Sequence, residues 1–478
     1  MPTEAASIEA VTALNRFGLG ARPGDLARVA ADPRGALRAE LKPERAIVGP
    51  DAAGSLAGTA ANLEAAFAAE EARKALREAA AAGAFPLLLP SAMTGGSPGR
   101  APPQPEAAIY RAEALARFRM AQAAEVGFVE RLVGFWSNHF CVSAAKGLML
   151  RASAGSFERE AIRPFVLGRF ADLLLAVERH PAMLSYLDNA RSVGPASRAG
   201  GNGRHGLNEN LAREILELHT LGVDGGYGQD DVTALARVIT GWTVAGRDGR
   251  HGEPGAFAFD AATHEPGDQT VVGRTYPGGG FGQGEAALND IARHPATARH
   301  IAVKLVRHFI ADDPPPAAVD RIATLFRARD GDLRAVALAL VDLPEAWSAP
   351  PTKMRSPNDL LVAAMRLLGA APANPGPMLG GLRLLGQPLW EPPGPNGFPD
   401  TAAAWASPES MKLRLDLAAQ VAHGARGAGA DGTADPLALL ETAAGDALSP
   451  ETRDAVARAE SRQQGFAIAL MSPEFQRR

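Results

Sequence analysis

The sequence predicts a mainly α-helical fold, a single large multi-helix domain over residues 1–478, and three observations carry that prediction. Apolar residues recur at helical spacing along most of the chain. Pro- and Gly-rich stretches interrupt that period without replacing it. Period-two alternation is confined to one excursion, 245–284, expected to hold a small β-hairpin around 255–275.

In chain order, 62–82 reads as an Ala, Glu and Arg helix, followed by an exposed Pro- and Gly-rich loop at 86–105. The spacing then predicts one long amphipathic helix over 107–132 that runs into the segment FWSNHF (135–140). Helices over 157–178 and 181–187 lead to a Gly-rich loop at 194–206, read as either a lid or a connector. A helix over 229–242 opens with Asp230 and Asp231, where the helix dipole favours acid. In the excursion, 257–260 and 269–272 alternate like short strands. Further helices are expected near 297–311, 316–329, 331–341, 356–369, 408–423, 436–444, 450–459 and 462–471. The Pro- and Gly-rich stretch 385–404, which holds Trp390, reads as an ordered loop or clamp. No repeat of fixed period is evident, which removes solenoid architectures.

Composition bounds the function classes. Hydrophobic residues are 46% and charged residues 21% of 478, enough for a sizeable core. The net charge of −4 argues for neither nucleic acid nor an anionic membrane. Aromatics are 6% and are not interleaved with a basic patch, unlike a single-strand platform. Cys141 is the only cysteine, so an intrachain disulfide and a Cys-based metal site are both excluded. As a catalytic thiol it would need His139, two positions away, yet near neighbours on a helix point apart. No phosphate-binding or dinucleotide-binding glycine motif and no nucleophile elbow occurs, so no nucleotide cofactor is expected.

The most informative segment is Gly206 to Thr220, GLNENLAREILELHT, with five ionisable side chains and two amides at helical spacing. On a regular helix Leu207, Leu211, Ile215, Leu218 and Gly222 face the core, and Glu209 pairs with Arg213 four positions on. Glu214 and His219 flank the stripe on opposite sides, where burial is costly without partners. Two other polar intrusions, Asn138-His139 in FWSNHF and Asp188-Asn189 in LSYLDN, lie in the same stretch of sequence. Their convergence on one pocket is the central expectation.

Two chemistries follow. His139, Asp188, Glu214 and His219 form a candidate ligand set for a divalent transition metal (zinc, iron or manganese), with Asn138, Asn189 and Asn210 orienting ligands or substrate. Five positions separate Glu214 from His219, about 140° on a regular helix, so one helix cannot present both to one ion. Without metal, Glu214, His139 and His219 are candidate catalytic acids and bases. A basic stripe of His300, Lys304, Arg307 and His308 on one helix side suits phosphate, sulfate or carboxylate recognition, with Lys304 and Arg307 as substrate contacts, or else a solvated face. His264 reads as a lid residue or a plain turn histidine.

The phrases FWSNHF, MLSYLDNARSVGP, GLNENLAREILELHTLGVDGGYGQDDVTALARVITGW, HPATARHIAVKLVRHFIADDP, MRSPNDLL and LGQPLWEPPGPNGFPD, with LNRFGLGARPGD near the start, resemble the bacterial family labelled domain of unknown function 1800. The resemblance runs from Leu14 to Phe475. It implies no stated activity, but it does imply a neighbouring sulfatase-like protein as a partner and relatives that carry export signals. The first residues show no basic head and apolar run, so a cytoplasmic location is expected by default, and no apolar run is long enough to span a membrane. The leading functional expectation is a metal-assisted hydrolase acting on an anionic or carbohydrate-like substrate. The competing one is a non-catalytic binding or scaffold protein that partners the sulfatase-like neighbour.

Overall fold

The computed structural model describes residues 4–49, 54, 56–81, 104–202, 206–369, 372–424 and 435–478. Helices dominate, as the periodicity predicts, joined by two small antiparallel sheets of two strands each. One apolar cluster collects buried residues from Ala10 to Phe475, so segments from both ends of the chain share a core. The expected helix over 107–132 is described throughout, whereas 86–103 of the expected 86–105 loop and 203–205 of the Gly-rich 194–206 loop lie outside the described residues.

The expected long helix over 107–132 is two, Pro105–Ala123 and Phe128–His139. The break is set by Glu40, which is 86 residues upstream of Val126. Its buried carboxylate accepts the backbone N–H groups of Val126, Gly127 and Phe128 at 2.6–3.0 Å. A new helix N-terminus is thereby capped by a charge-assisted acceptor. Gly127 takes φ 96°, a conformation that costs glycine nothing.

The expected helix over 157–178 is likewise divided. Helix Leu148–Phe157, not anticipated, runs into a π-turn at Glu158–Ile162 and a 3₁₀ turn at Arg163–Phe165, and helix Phe170–Glu178 follows. Pro164 removes a backbone donor at this point. Arg163 is buried and grips Glu130 through two bonds of 2.7 and 2.9 Å, with Glu158 at 3.2 Å.

The β excursion is present but is not one hairpin. β1 (Trp242–Val244) pairs with β2 (Phe257–Phe259), and β3 (Gln269–Val271) pairs with β4 (Arg274–Tyr276). The two predicted strands therefore take different partners, because Trp242–Val244 leaves the preceding helix, Gln229–Val238, four residues earlier than its apolar period suggests. Part of the 194–206 loop is tied to this unit by Gly194 N–H to Thr263 O (2.8 Å) and Ala199 N–H to Ala262 O (2.9 Å). The later expected helices are present; Phe281–Ala292 and Gly376–Leu384 are added to them, the first starting inside the expected β excursion, and a short helix, Ala402–Trp405, closes the stretch expected as a loop over 385–404.

Candidate functional site

Helices Phe128–His139, Pro295–Phe309 and Pro357–Leu367 and the loop that follows Gly386 enclose a cavity of about 370 Å3. Each later helix has a defined start. His294 Nδ1 accepts the Ala296 N–H at 3.2 Å ahead of Pro295, and Ser356 Oγ accepts the Asp359 N–H at 3.2 Å ahead of Pro357. Those starts fix which side chains face inward.

The loop is pinned to the FWSNHF segment. Asn138 donates to Phe398 O (2.9 Å) and accepts the Phe398 N–H (2.8 Å), Ser143 donates to Pro392 O (3.0 Å), and Ala144 N–H donates to Trp390 O (2.7 Å). Gly397 has φ 76°, and a Cβ there would stand 2.4 Å from Asn138 O. The Cys141 thiol donates to Gly394 O and Pro395 O, and burial pushes its pKa up to about 12, so it is a packing residue and not a nucleophile.

Five cations (Arg117, Arg131, Lys304, Arg307 and Arg478) and three carboxylates (Glu130, Asp359 and Asp400) line the cavity. Every carboxylate is already engaged. Glu130 is held by Arg163; Asp359 by Arg131 (3.0 Å) and Arg478 (3.2 Å); Asp400 by His308 (2.6 Å). Lys353, held by Asp312 at 2.6 Å, also donates to Asp400 O at 2.9 Å. Lys304 makes no hydrogen bond or ion pair with any described residue, and Arg307 uses only its Nε, toward Asp312 O at 3.1 Å. Burial first, and then Arg307, bring the Lys304 ammonium down to about 8. Of the basic stripe, Lys304, Arg307 and His308 thus face the cavity, each half-buried, while His300 lies outside the lining and bonds to Leu218 O at 3.1 Å.

His308 adds a second feature. Its Nδ1–H donates to Asp400 Oδ2 at 2.6 Å, since a carboxylate only accepts, which leaves Nε2 as a lone pair. That nitrogen is buried with no partner. Burial lowers the His308 pKa, so the ring is neutral near pH 7. Burial alone would raise the Asp400 carboxyl, but His308, Lys353 and Arg478 hold it below the usual carboxylate range. The Phe135 ring packs between the two imidazoles, 5.3 Å from His308 and 6.2 Å from His139.

Of the residues singled out from sequence, Asn138, His139, Cys141, Lys304, Arg307, His308 and Trp390 line this cavity, whereas Asp188, Asn189, Asn210, Glu214, His219, His264 and His300 do not. His139 donates through Nε2 to His219 O at 3.1 Å, and its Nδ1 is buried without a partner. Burial, and then the neighbouring Lys304, His219 and His300, hold its pKa well below 6.5. His219 gives its Nδ1–H to buried Glu178 at 2.7 Å. Asp188 pairs with Lys146 at 2.7 Å in a partly exposed position, Asn189 donates to Ile239 O and Trp242 O, and Asn210 is exposed. His264 is a turn residue bonded to Thr240 O at 2.9 Å.

The regular helix assumed over the NENLAREILELH segment stops at Glu214, and a π-turn occupies Ile215–His219. That turn brings residues five apart toward one side and carries His219 into the core, while Leu218 moves to a half-buried position. Gly222 (φ 84°) follows, where a Cβ would stand 2.7 Å from the His300 ring. Glu214 is half-buried, makes no hydrogen bond with a described residue, and has its pKa raised chiefly by burial. The four expected metal donors therefore do not form one set. Among the described residues, no three His, Cys, Asp or Glu side chains are placed to share an ion.

Sequence reasoning missed Asp400 and the Arg131–Asp359–Arg478 array. The one local signal was Asp400 at the end of a Pro- and Gly-rich loop, a position suited to delivering a side chain. Among the described residues, no helix is long and apolar enough to cross a membrane.

Neither the curated proteins nor the solved structures contain a match to this chain. A family model described as "Protein of unknown function (DUF1800)" matches residues 12–477, nearly all of the sequence, and the chain belongs to that family.

Proposed function

We propose that this protein is a hydrolase that holds an anionic substrate against Lys304 and Arg307 and activates water with His308, oriented by Asp400. One observation supports it above the others: the cavity has more cations than carboxylates engage, and with Arg117 paired to Glu158 at 2.7 Å the surplus is Lys304 and Arg307. An enclosed ammonium without a partner is costly, and a substrate anion removes that cost. In the reaction, His308 Nε2 takes a proton from water as the oxygen attacks an acyl, phosphoryl or sulfuryl centre, the bond from that centre to the leaving-group oxygen breaks, and the imidazolium returns the proton to the departing oxygen. Lys304 and Arg307 face the negative charge that grows on the centre's oxygens. No step runs through a metal, because no donor set converges among the described residues.

The test has two arms. Thermal shift with acetate, sulfate and inorganic phosphate should show stabilisation by at least one anion, by about 2.7 kcal/mol at a hundredfold excess over Kd. Lys304→Gln should lose it. Chromogenic p-nitrophenyl carboxylate, phosphate and sulfate esters should then show turnover of one class, reduced about 10²- to 10⁴-fold in folded His308→Asn. Failure of every anion to stabilise the protein, or an equal shift in Lys304→Gln, overturns the reading.

A second reading, a binding or scaffold protein that partners a sulfatase-like neighbour, draws on a different observation. Asn138, Asn189 and His219 all bond to other parts of the fold, as residues that fix helix register do. Anion binding without turnover of any ester class favours it.

A further inference from the structure

We infer that the ligand of the Lys304 cavity is an amphipathic anion whose apolar tail lies along Leu19, Ala121 and Val362. This rests on the anion-binding reading above and deepens it. Leu19, Ala121 and Val362 belong, with Met365, to a small apolar cluster separate from the main core. All three line the cavity. Apolar side chains that face a void lack contact atoms on that side, and such a surface stays dry unless an apolar ligand fills it.

The two ends of the cavity are joined through a wall that offers a ligand no free charge. Asp400, the partner of His308, is near Arg478, which also contacts Asp359, which is bonded to Arg131. Burial would raise the Asp359 carboxyl, but Arg131 and Arg478 hold it ionised and its charge is matched. Val362 is three residues beyond Asp359, hence on the same side of helix Pro357–Leu367. Arg131 donates to Gly18 O, the residue before Leu19. The path therefore runs from the unpaired Lys304 and Arg307, past a neutralised array, to an apolar surface. At about 370 Å3 the cavity falls within the range of about 300–1,000 Å3 typical of pockets for drug-sized ligands. Inorganic phosphate or acetate would leave most of it empty.

The experiment is a calorimetric titration of the full chain with acetate, butanoate, hexanoate and octanoate, and with inorganic phosphate against butyl and hexyl phosphate. Affinity should rise about three- to fourfold per methylene until the wall is covered, in the series whose head group the cations prefer. Ala121→Leu, which fills part of the void, should shorten the chain length at which the gain stops. Val362→Thr, which keeps the shape of the side chain, should reduce the gain per methylene, and both should leave the affinity for the shortest anion unchanged. Lys304→Gln should weaken every member. Lys304-dependent binding of short anions with no gain from added methylenes overturns the amphipathic ligand and leaves the anion reading standing. If no anion of either series binds, both fall.

Discussion

Lys304 shows how much of the site rests on a single side chain. An ammonium enclosed beside Arg307 with no carboxylate of its own weakens the fold and gains value only when an anion arrives. Lys304→Met should therefore raise stability by roughly 0.5–2 kcal/mol in urea denaturation while abolishing anion binding. Glu178→Gln is the contrast, because Glu178 and His219 are fully buried and bonded at 2.7 Å. It should cost on the order of 1–3 kcal/mol. Since the Lys304 charge is lost as pH rises through about 8, anion affinity should be steady below pH 7 and fall above pH 8, measured by titration across that range. Lys304 and Arg307 were legible from their spacing on one helix side. Asp400 was not, because its pairing with His308 spans 92 residues and is set by a loop.

At the scale of elements, apolar period located the helices and failed where a distant side chain or a π-turn redirected the backbone. Helix Phe128–His139 begins where Glu40 places its carboxylate, and the one sign of it local to 107–132 is Gly127, at φ 96° just before the helix. Glu40→Ala should strand three backbone donors in a buried position, at roughly 1–3 kcal/mol for each that water cannot reach. The expected result is a lower urea midpoint, together with a shift in the anion titration, since the same helix carries Asn138 and His139 into the cavity. An unchanged midpoint would mean that the cap is replaceable by solvent. The π-turn at Ile215–His219 made the opposite kind of difference. A 100° wheel separates Glu214 from His219, whereas the wider turn buries His219 against Glu178 and leaves Glu214 beside it without a hydrogen bond.

For the whole molecule, the helical class was readable because periodicity is a local property repeated many times, and the cavity was not, because its walls come from segments far apart in sequence. The same burial that makes the cavity governs how the fold responds to acid. Burial holds His139, His180, His300 and His308 below the ordinary imidazole value of 6.5, His300 near 4. An imidazole whose folded pKa is depressed binds fewer protons folded than unfolded, so stability is fully present above pH 6.5 and declines as pH falls toward 4. Each such group adds a slope of about 1.4 kcal/mol per pH unit in that window. Asp359, Asp400, Glu158 and Glu160, also depressed, extend the loss below the ordinary carboxylate range. Glu113 and Glu214, both raised mainly by burial, act in the opposite direction. Four imidazoles outweigh two carboxyls between pH 6.5 and 4.5, so the urea midpoint should drop steadily across that interval and be level between pH 7 and 8, above which loss of the Lys304 charge raises it. A midpoint that stays flat down to pH 4.5 would show that these rings accept protons inside the folded protein, and the neutral His308 that the proposed chemistry requires would then have no basis.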